Sequence, residues 1–129
     1  MIEPSATHDV LARQIVDSSF AVHSALGPGL LESVYQQCLV CELRSRKINI
    51  QQQIALPIRY RDTVVEAGLR LDLLADDKVI VEIKAIEKLL PVHEAQLLTY
   101  LKLAKKDLGI LVNFNVPLIK DGIRRFVRS

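Results

Sequence analysis

Asp72, Glu82 and Lys84 are the side chains of this sequence best placed to do chemistry. They lie in the segment 68–86, where two apolar runs flank Asp76-Asp77 and read as a β-hairpin. Folding the chain back around Asp77 sets Asp72 opposite Glu82 and Arg70 opposite Lys84. Successive strand side chains point to opposite faces. Arg70, Asp72, Glu82 and Lys84 therefore share one face with Leu74 and Ile80, while Leu69, Leu71, Leu73, Val79, Val81 and Ile83 share the other. Carboxylates in an apolar hairpin are costly unless they are paired or hold a metal. Two of them on neighbouring strands make a half-site for Mg²⁺ or Mn²⁺, which prefers oxygen ligands and keeps open positions for water and phosphate. Such an ion polarises a phosphoryl oxygen and lowers the pKa of a bound water. Lys84, two residues beyond Glu82, stands where it can offset charge developing on the phosphorus. A cross-strand salt-bridge ladder uses the same residues, but Leu74 and Ile80 on that side mean the face is not simply polar.

The flanking pattern predicts the elements that must position this hairpin. Apolar spacing predicts a helix over 9–26 with Thr7 as its N-cap, stopped by Gly27-Pro28-Gly29. A second helix is expected over 30–46. An extended segment over 48–59 ends near Pro57, and Tyr60-Arg61-Asp62 makes a turn. The hairpin arms are read as 64–74 and 78–86. Pro91 opens a third helix running through Ala104. The run 108–114 is nearly continuously apolar, as in a strand buried on both faces, and 122–127 reads as a last edge strand. The order is α, α, β, β, β, α, β with a further edge strand. It describes an α/β, more strictly α+β, mixed sheet with an antiparallel meander, a right-handed helical crossover and helices packed against it.

At 129 residues the chain is long enough for one core and is read as a single domain over 1–129, with 1–8 as a flexible N-terminus. Half of the residues are hydrophobic and a quarter charged, a globular composition. No apolar run reaches membrane-spanning length and no leader is apparent, so a cytoplasmic protein is expected. The net charge of +2 is uneven: residues 1–40 carry −3 and the remainder +5. Lys120, Arg124, Arg125 and Arg128 form the clearest basic cluster, suited to phosphates or to a solvated strand end. Cys38 and Cys41 lie inside a predicted helix rather than at its N-terminus. No further zinc ligands are evident nearby, which favours buried or half-buried reduced thiols.

Several motifs, in order, resemble one known family. Asp72 followed by Glu82-Ile83-Lys84 is similar to the signature of the PD-(D/E)XK nucleases. Gly29-Leu30-Leu31-Glu32-Ser33-Val34-Tyr35 resembles the motif that names the GxxExxY proteins, a small branch of that superfamily. The runs 93–101 and 109–114 are similar to that family's pattern as well. The likeness spans about Val10 to Val127, with Leu71 standing where the superfamily name has Pro.

The resemblance implies a restriction-endonuclease-like αβββαβ core. Asp72 and Glu82 would ligate Mg²⁺ or Mn²⁺, together with the Ile83 carbonyl, and Lys84 would be the catalytic lysine. Glu32 would be the acid that the first core helix brings beside the metal. Gln96 and Tyr100 resemble the Gln-x-x-x-Tyr of RecB-like exonucleases, which supports the site and the DNA. Each has a plainer reading. Glu32 falls in a first helical turn, which favours any carboxylate, and Gln96 and Tyr100 could anchor their helix to the sheet. A capping role for His93 and a local stabilising role for His23 are expected.

The function expected is that of a Mg²⁺-dependent nuclease hydrolysing phosphodiester bonds by attack of a metal-activated water. Arg70, Lys88, Arg124, Arg125 and Arg128 would contact the phosphates of nucleic acid, in the first place DNA, and the apolar first helix would serve a homodimer. The alternative is a non-catalytic module that binds nucleic acid or protein on the same fold.

Overall fold

The computed structural model describes residues 4–128. Helices α1 (Ala6–Leu26) and α2 (Glu32–Ser45) precede strand β1 (Ile50–Ala55), a small hairpin of β2 (Ile58–Tyr60) and β3 (Thr63–Val65), and the central hairpin β4 (Arg70–Ala75) and β5 (Val79–Lys84). Helix α3 (Pro91–Ala104), strand β6 (Leu108–Asn113), a 3₁₀ turn (Ile119–Gly122) and β7 (Ile123–Val127) complete the chain. The main sheet has the order β1-β4-β5-β6-β7. β5 and β6 are parallel, joined by the α3 crossover, and the other pairs are antiparallel. This is the mixed, α+β restriction-endonuclease-like architecture expected from the sequence.

One core lies between the sheet and α1 and α2, built on Ile15, Tyr35, Leu39, Leu43, Leu73, Val81, Ile83 and Phe114. A second lies between the sheet and α3, built on Leu71, Leu74, Ile80, Leu97, Tyr100, Leu101 and Leu111. β6 is buried along its whole length because both layers cover it. Gly109 on β6 faces the Leu97 side chain, whose nearest atom would stand 3.0 Å from an added Cβ.

The helix start differs from expectation. Ser5, not Thr7, is the N-cap: its extended backbone lets the side chain accept from the His8 N–H at 3.3 Å, so the helix begins earlier. Of the tail expected to be flexible, residues 1–3 lie outside the described residues, and Ala6 to His8 form the first turn of α1. His93 caps α3 as expected, its Nδ1 accepting from the Leu90 N–H at 2.9 Å. His23 does more than complement a helix dipole. Its Nε2 meets the Val116 carbonyl at 2.8 Å and ties the end of α1 to the loop after β6. Cys38 is half-buried against the core, but Cys41 is exposed, because a three-residue step carries it off the buried face of α2.

The segment between β1 and β4 is also more divided than the sequence suggested. Pro57 has no N–H to continue a ladder, and residues 66–69 leave the strand again. A separate two-stranded sheet, β2–β3, results, closed by the expected turn at Arg61 (φ 54°).

Between β6 and β7 the chain packs backbone on backbone. A Cβ at Gly122 would stand 2.1 Å from the Asn113 carbonyl oxygen, and no side-chain rotation relieves that contact. Gly122→Ala is expected to destabilise the protein by about 1–3 kcal/mol, as overpacking does, measured by urea unfolding; Ser24→Ala, on the exposed side of α1, serves as the neutral control.

Candidate active site

The central hairpin turns through the three residues Asp76 (φ 48°), Asp77 (φ 57°) and Lys78, whose N–H donates to the Ala75 carbonyl at 2.9 Å; the two aspartates lie in the left-handed region that suits the twist of the strands. Asp76 Oδ1 accepts from the Asn49 N–H at 2.8 Å, and Lys106 Nζ reaches Asp77 Oδ1 at 3.1 Å, so the turn is tied to both flanking segments. The register follows as read from the sequence: Ala75 pairs with Val79, Leu74 with Ile80 and Leu73 with Val81.

Beyond Leu73 and Val81 the ladder stops and side chains take over. The Ile83 N–H donates to Asp72 Oδ2 at 2.8 Å, and the Asp72 N–H donates to Glu82 Oε2 at 3.3 Å. On the other side of β4, Gln52 pairs with Leu73 and Ile54 with Leu71, but Gln53 and Asp72 are unpaired and Gln53 has φ 49°. Both strands change face at this step. Ile50 and Leu73 belong to the α1–α2 core, whereas Ile54 and Leu71 belong to the α3 side. The expected grouping of Leu69 and Leu71 with Leu73 is therefore corrected. The alternation assumed an unbroken pleat, and the pleat breaks where the Asp72 carboxylate turns into the sheet plane to take a strand N–H.

Glu82 is 6% exposed, and its Oε1 is buried without a hydrogen-bond partner. Its pKa is raised from 4.5 to about 9, first by burial and then by the hydrogen bond and negative charge of Asp72, with Lys84 acting in the opposite direction. Glu32 occupies the first position of α2. The residue is exposed overall, but partial shielding of its carboxyl and then the charge of Asp72 raise its pKa, while Lys84 lowers it. Tyr100, 7% exposed on α3, has its phenol pKa raised by burial and then by Glu82 and Asp72, so it remains a hydrogen-bond donor. Asp72, Glu82, Lys84, Glu32 and Tyr100 thus sense one another across four elements. Gln96 lies one turn before Tyr100 and is exposed.

A divalent cation fits this donor set in part. The orphaned Glu82 Oε1 is an oxygen lacking only a positive partner, and Asp72 stands beside it. The described residues contain no group of three or more His, Cys, Asp or Glu side chains gathered as a ready-made metal cage. Glu32 acts on Asp72 and Lys84 through its charge. Ions that keep most of their water need only one or two carboxylates.

The residues expected to meet phosphates are dispersed. Along β7, Arg125 points to the α1 side and pairs with Asp9 at 2.6 Å, whereas Arg128 pairs with Asp107 at 2.8 Å. Arg124 donates to the Asp121 and Ile123 carbonyls and lines a cleft with Lys88, Glu87 and Asp121. Strand alternation divides the basic run between faces, and neighbouring acids offset it. Arg70 donates to the Gln53 carbonyl at 3.2 Å, beside the pleat break.

Two residues to which the sequence assigned no positioning role, Asn113 and the motif residue Tyr35, hold the frame of the site. Asn113 is 1% exposed; its Nδ2 donates to the Ile86 carbonyl and its Oδ1 accepts from the Ile86 and Asn115 N–H groups. It holds the chain leaving Lys84, and the Phe114 N–H donates to the Lys84 carbonyl at 2.9 Å. A polar residue ending an all-apolar run was the available signal. Tyr35 is fully buried, stacked on Phe114 at 4.7 Å. Its hydroxyl donates to the Gly27 carbonyl at 2.5 Å and accepts from the Leu30 N–H at 3.1 Å. It clamps the loop that delivers Glu32, a link that helical spacing alone does not reveal.

The sheet order and the pairing of Asp72 with Glu82-Ile83-Lys84 on two central strands define a restriction-endonuclease-like core. A family model of the PD-(D/E)XK nuclease superfamily matches residues 9–126, and the chain belongs to that superfamily. No curated protein and no solved structure matches it. No helix among the described residues is long and apolar enough to cross a membrane.

The Glu82 shift has a stability consequence. A folded-state pKa above the ordinary value means that the folded chain binds the proton more tightly. That stabilisation is complete below pH 4.5 and is lost as pH rises toward about 9. In EDTA, the urea midpoint of the wild type is expected to fall across this window, and Glu82→Gln is expected to remove most of the fall.

Proposed function

We propose that the chain is a Mg²⁺- or Mn²⁺-dependent nuclease of the GxxExxY branch that hydrolyses nucleic-acid phosphodiester bonds, with DNA as the first substrate to test. The observation carrying this reading is the buried, unpartnered Glu82 Oε1 held beside Asp72 at the end of the central hairpin. Asp72 and Glu82 would hold the ion, with the Ile83 carbonyl as a further oxygen; when bound, such an ion supplies Lewis acidity and a water of lowered pKa. The Lys84 ammonium lies close enough to influence both Glu32 and Glu82, and beside a phosphate it would offset the added negative charge. Tyr100 keeps its proton and can donate to Glu82 or to a phosphate oxygen. Glu32, open to solvent on one side, is suited to orient a water, and Gln96 to reach substrate from the same helix as Tyr100. Branch membership is supported by the Gly29–Glu32–Tyr35 spacing, in which Tyr35 fastens the loop that carries Glu32.

A second reading, a binding module on the nuclease fold, is favoured by the absence of a three-ligand cluster among the described residues. The two separate in one experiment with plasmid, single-stranded DNA and RNA. The wild type is expected to cleave at least one of them with Mg²⁺ and not in EDTA, and Asp72→Ala and Lys84→Ala are each expected to lower the rate by about 10²–10³-fold. Salt-dependent binding without cleavage would favour the module.

We also propose a cytoplasmic homodimer built on α1, supported by the exposure of Val10 and Phe20 on that helix. Light scattering is expected to report a dimer for the wild type and a monomer for Phe20→Glu.

A further inference from the structure

We infer that the β2–β3 hairpin is a substrate arm that holds a single-stranded stretch of nucleic acid next to the candidate site, with Tyr60 stacking on a base and Arg59 and Arg61 meeting phosphates. This rests on the nucleic-acid reading above and adds a surface that the basic C-terminal strand does not supply.

Position is the first argument. Ala55 pairs with Arg70, and the Leu56 N–H donates to the Leu69 carbonyl at 2.9 Å, so the arm leaves the sheet as a closed stem. The β4–β5 register carries Arg70 toward Lys84, so the stem stands at the same end of the sheet as the lysine. Arg70 is two residues, about 7 Å, from Asp72. From Leu56 the chain can extend about 16 Å to Arg61 at ~3.3 Å per residue.

Surface character is the second. β2 and β3 form their own two-stranded sheet, and every residue of β3 is exposed. Tyr60 is 64%, Val64 50% and Val65 41% exposed, whereas no large apolar side chain of the main sheet is exposed. Tyr60 and Val65 share one face by alternation, and Arg59 and Val64 share the other. The Arg61 guanidinium lies over the Tyr60 ring, 5.5 Å from its centroid, which couples the aromatic platform to a cation. Arg59 and Arg61 form no ion pair among the described residues, in contrast to Arg125 and Arg128. Asp62 and Glu66 are the acids of the arm, and with Arg70 at the stem the cations outnumber them. A ring beside the unpaired Arg61 guanidinium, with the unpaired Arg59 on the other face of the same narrow ribbon, suits a single strand that stacks one base on the ring while its phosphates pass along the ribbon's edge.

The test is a titration of a short, labelled, mixed-sequence single-stranded DNA in EDTA, with Tyr60→Ala, Tyr60→Phe and the double variant Arg59→Ala/Arg61→Ala, alongside cleavage assays in Mg²⁺. Circular dichroism checks that each variant is folded. Tyr60→Ala is expected to weaken binding roughly 5- to 150-fold, the range for losing one stacked base, and Tyr60→Phe to retain it. The arginine double variant is expected to reduce the slope of log affinity against log salt by about 1.4, two phosphates' share. Wild-type affinity and salt slope in all three variants would overturn the arm while Asp72-dependent cleavage left the nuclease reading standing. Cleavage of duplex without single-strand binding would also overturn it. Loss of a dimer in Tyr60→Ala, with unchanged DNA affinity, would assign the ribbon to self-association instead. If the wild type neither binds nor cleaves nucleic acid, the nuclease reading fails and the arm falls with it.

Discussion

The placement of a buried carboxyl, Glu82, against a second acid, Asp72, is the constraint around which this structure is arranged. Two acids in a low-dielectric setting repel unless one holds a proton or a cation lies between them. The protein makes the site possible by giving up regular strand pairing. Where β4 and β5 would continue their ladder, the Ile83 N–H bonds to the Asp72 carboxylate and the Asp72 N–H to Glu82. The backbone donors remain satisfied, so the break avoids the usual cost of unpaired buried groups. One oxygen, Glu82 Oε1, is left buried without a hydrogen-bond partner, and it is the atom on which the proposed cation site rests.

The surrounding elements keep that break in a defined shape. Tyr35 is the hub on the α2 side: its ring packs on Phe114 at the end of β6, and its hydroxyl closes the Gly27–Leu30 loop. Gly27 (φ 69°) and Gly29 (φ 98°) give the loop the left-handed conformations that let it turn directly into α2. Asn113 closes the opposite side by satisfying both backbone groups of Ile86. Phe114 and Asn113 are adjacent, so a single strand end braces the loop before Glu32 and the chain after Lys84. α3 completes the enclosure, with Leu97 and Leu101 seated in the sheet and Tyr100 directed toward the carboxylates.

Much of this was legible in the sequence because it depends on local period and turn chemistry. The helices, the β4–β5 register around Asp76-Asp77, the doubly covered β6 and the edge strand β7 follow from those rules. Asp72 and Glu82 meet as expected because the tight three-residue turn Asp76-Asp77-Lys78 fixes the register of the hairpin. The errors have equally local causes. Thr7 is not the N-cap because capping depends on which backbone is extended, here that of Ser5, and the Leu71 face was misassigned because alternation makes no allowance for a pleat break.

By itself, then, the sequence determined the order of elements and the pairing of acids across the central hairpin, since both arise from interactions between near neighbours in the chain. Tertiary structure decided what the pairing is worth chemically. Only packing by both helical layers buries Glu82 and raises its pKa, and only long-range contacts bring Glu32 and Tyr100 into its field. The same holds for the basic residues. Arg124, Arg125 and Arg128 are close in sequence, but alternation and the partners Asp9 and Asp107 divide them. Arg59 and Arg61 remain unpaired on a hairpin that Pro57 helps to separate from the sheet. Electrostatic character belongs to the folded neighbourhood, where desolvation and distance set each charge, and not to the run of letters in which the charge is written.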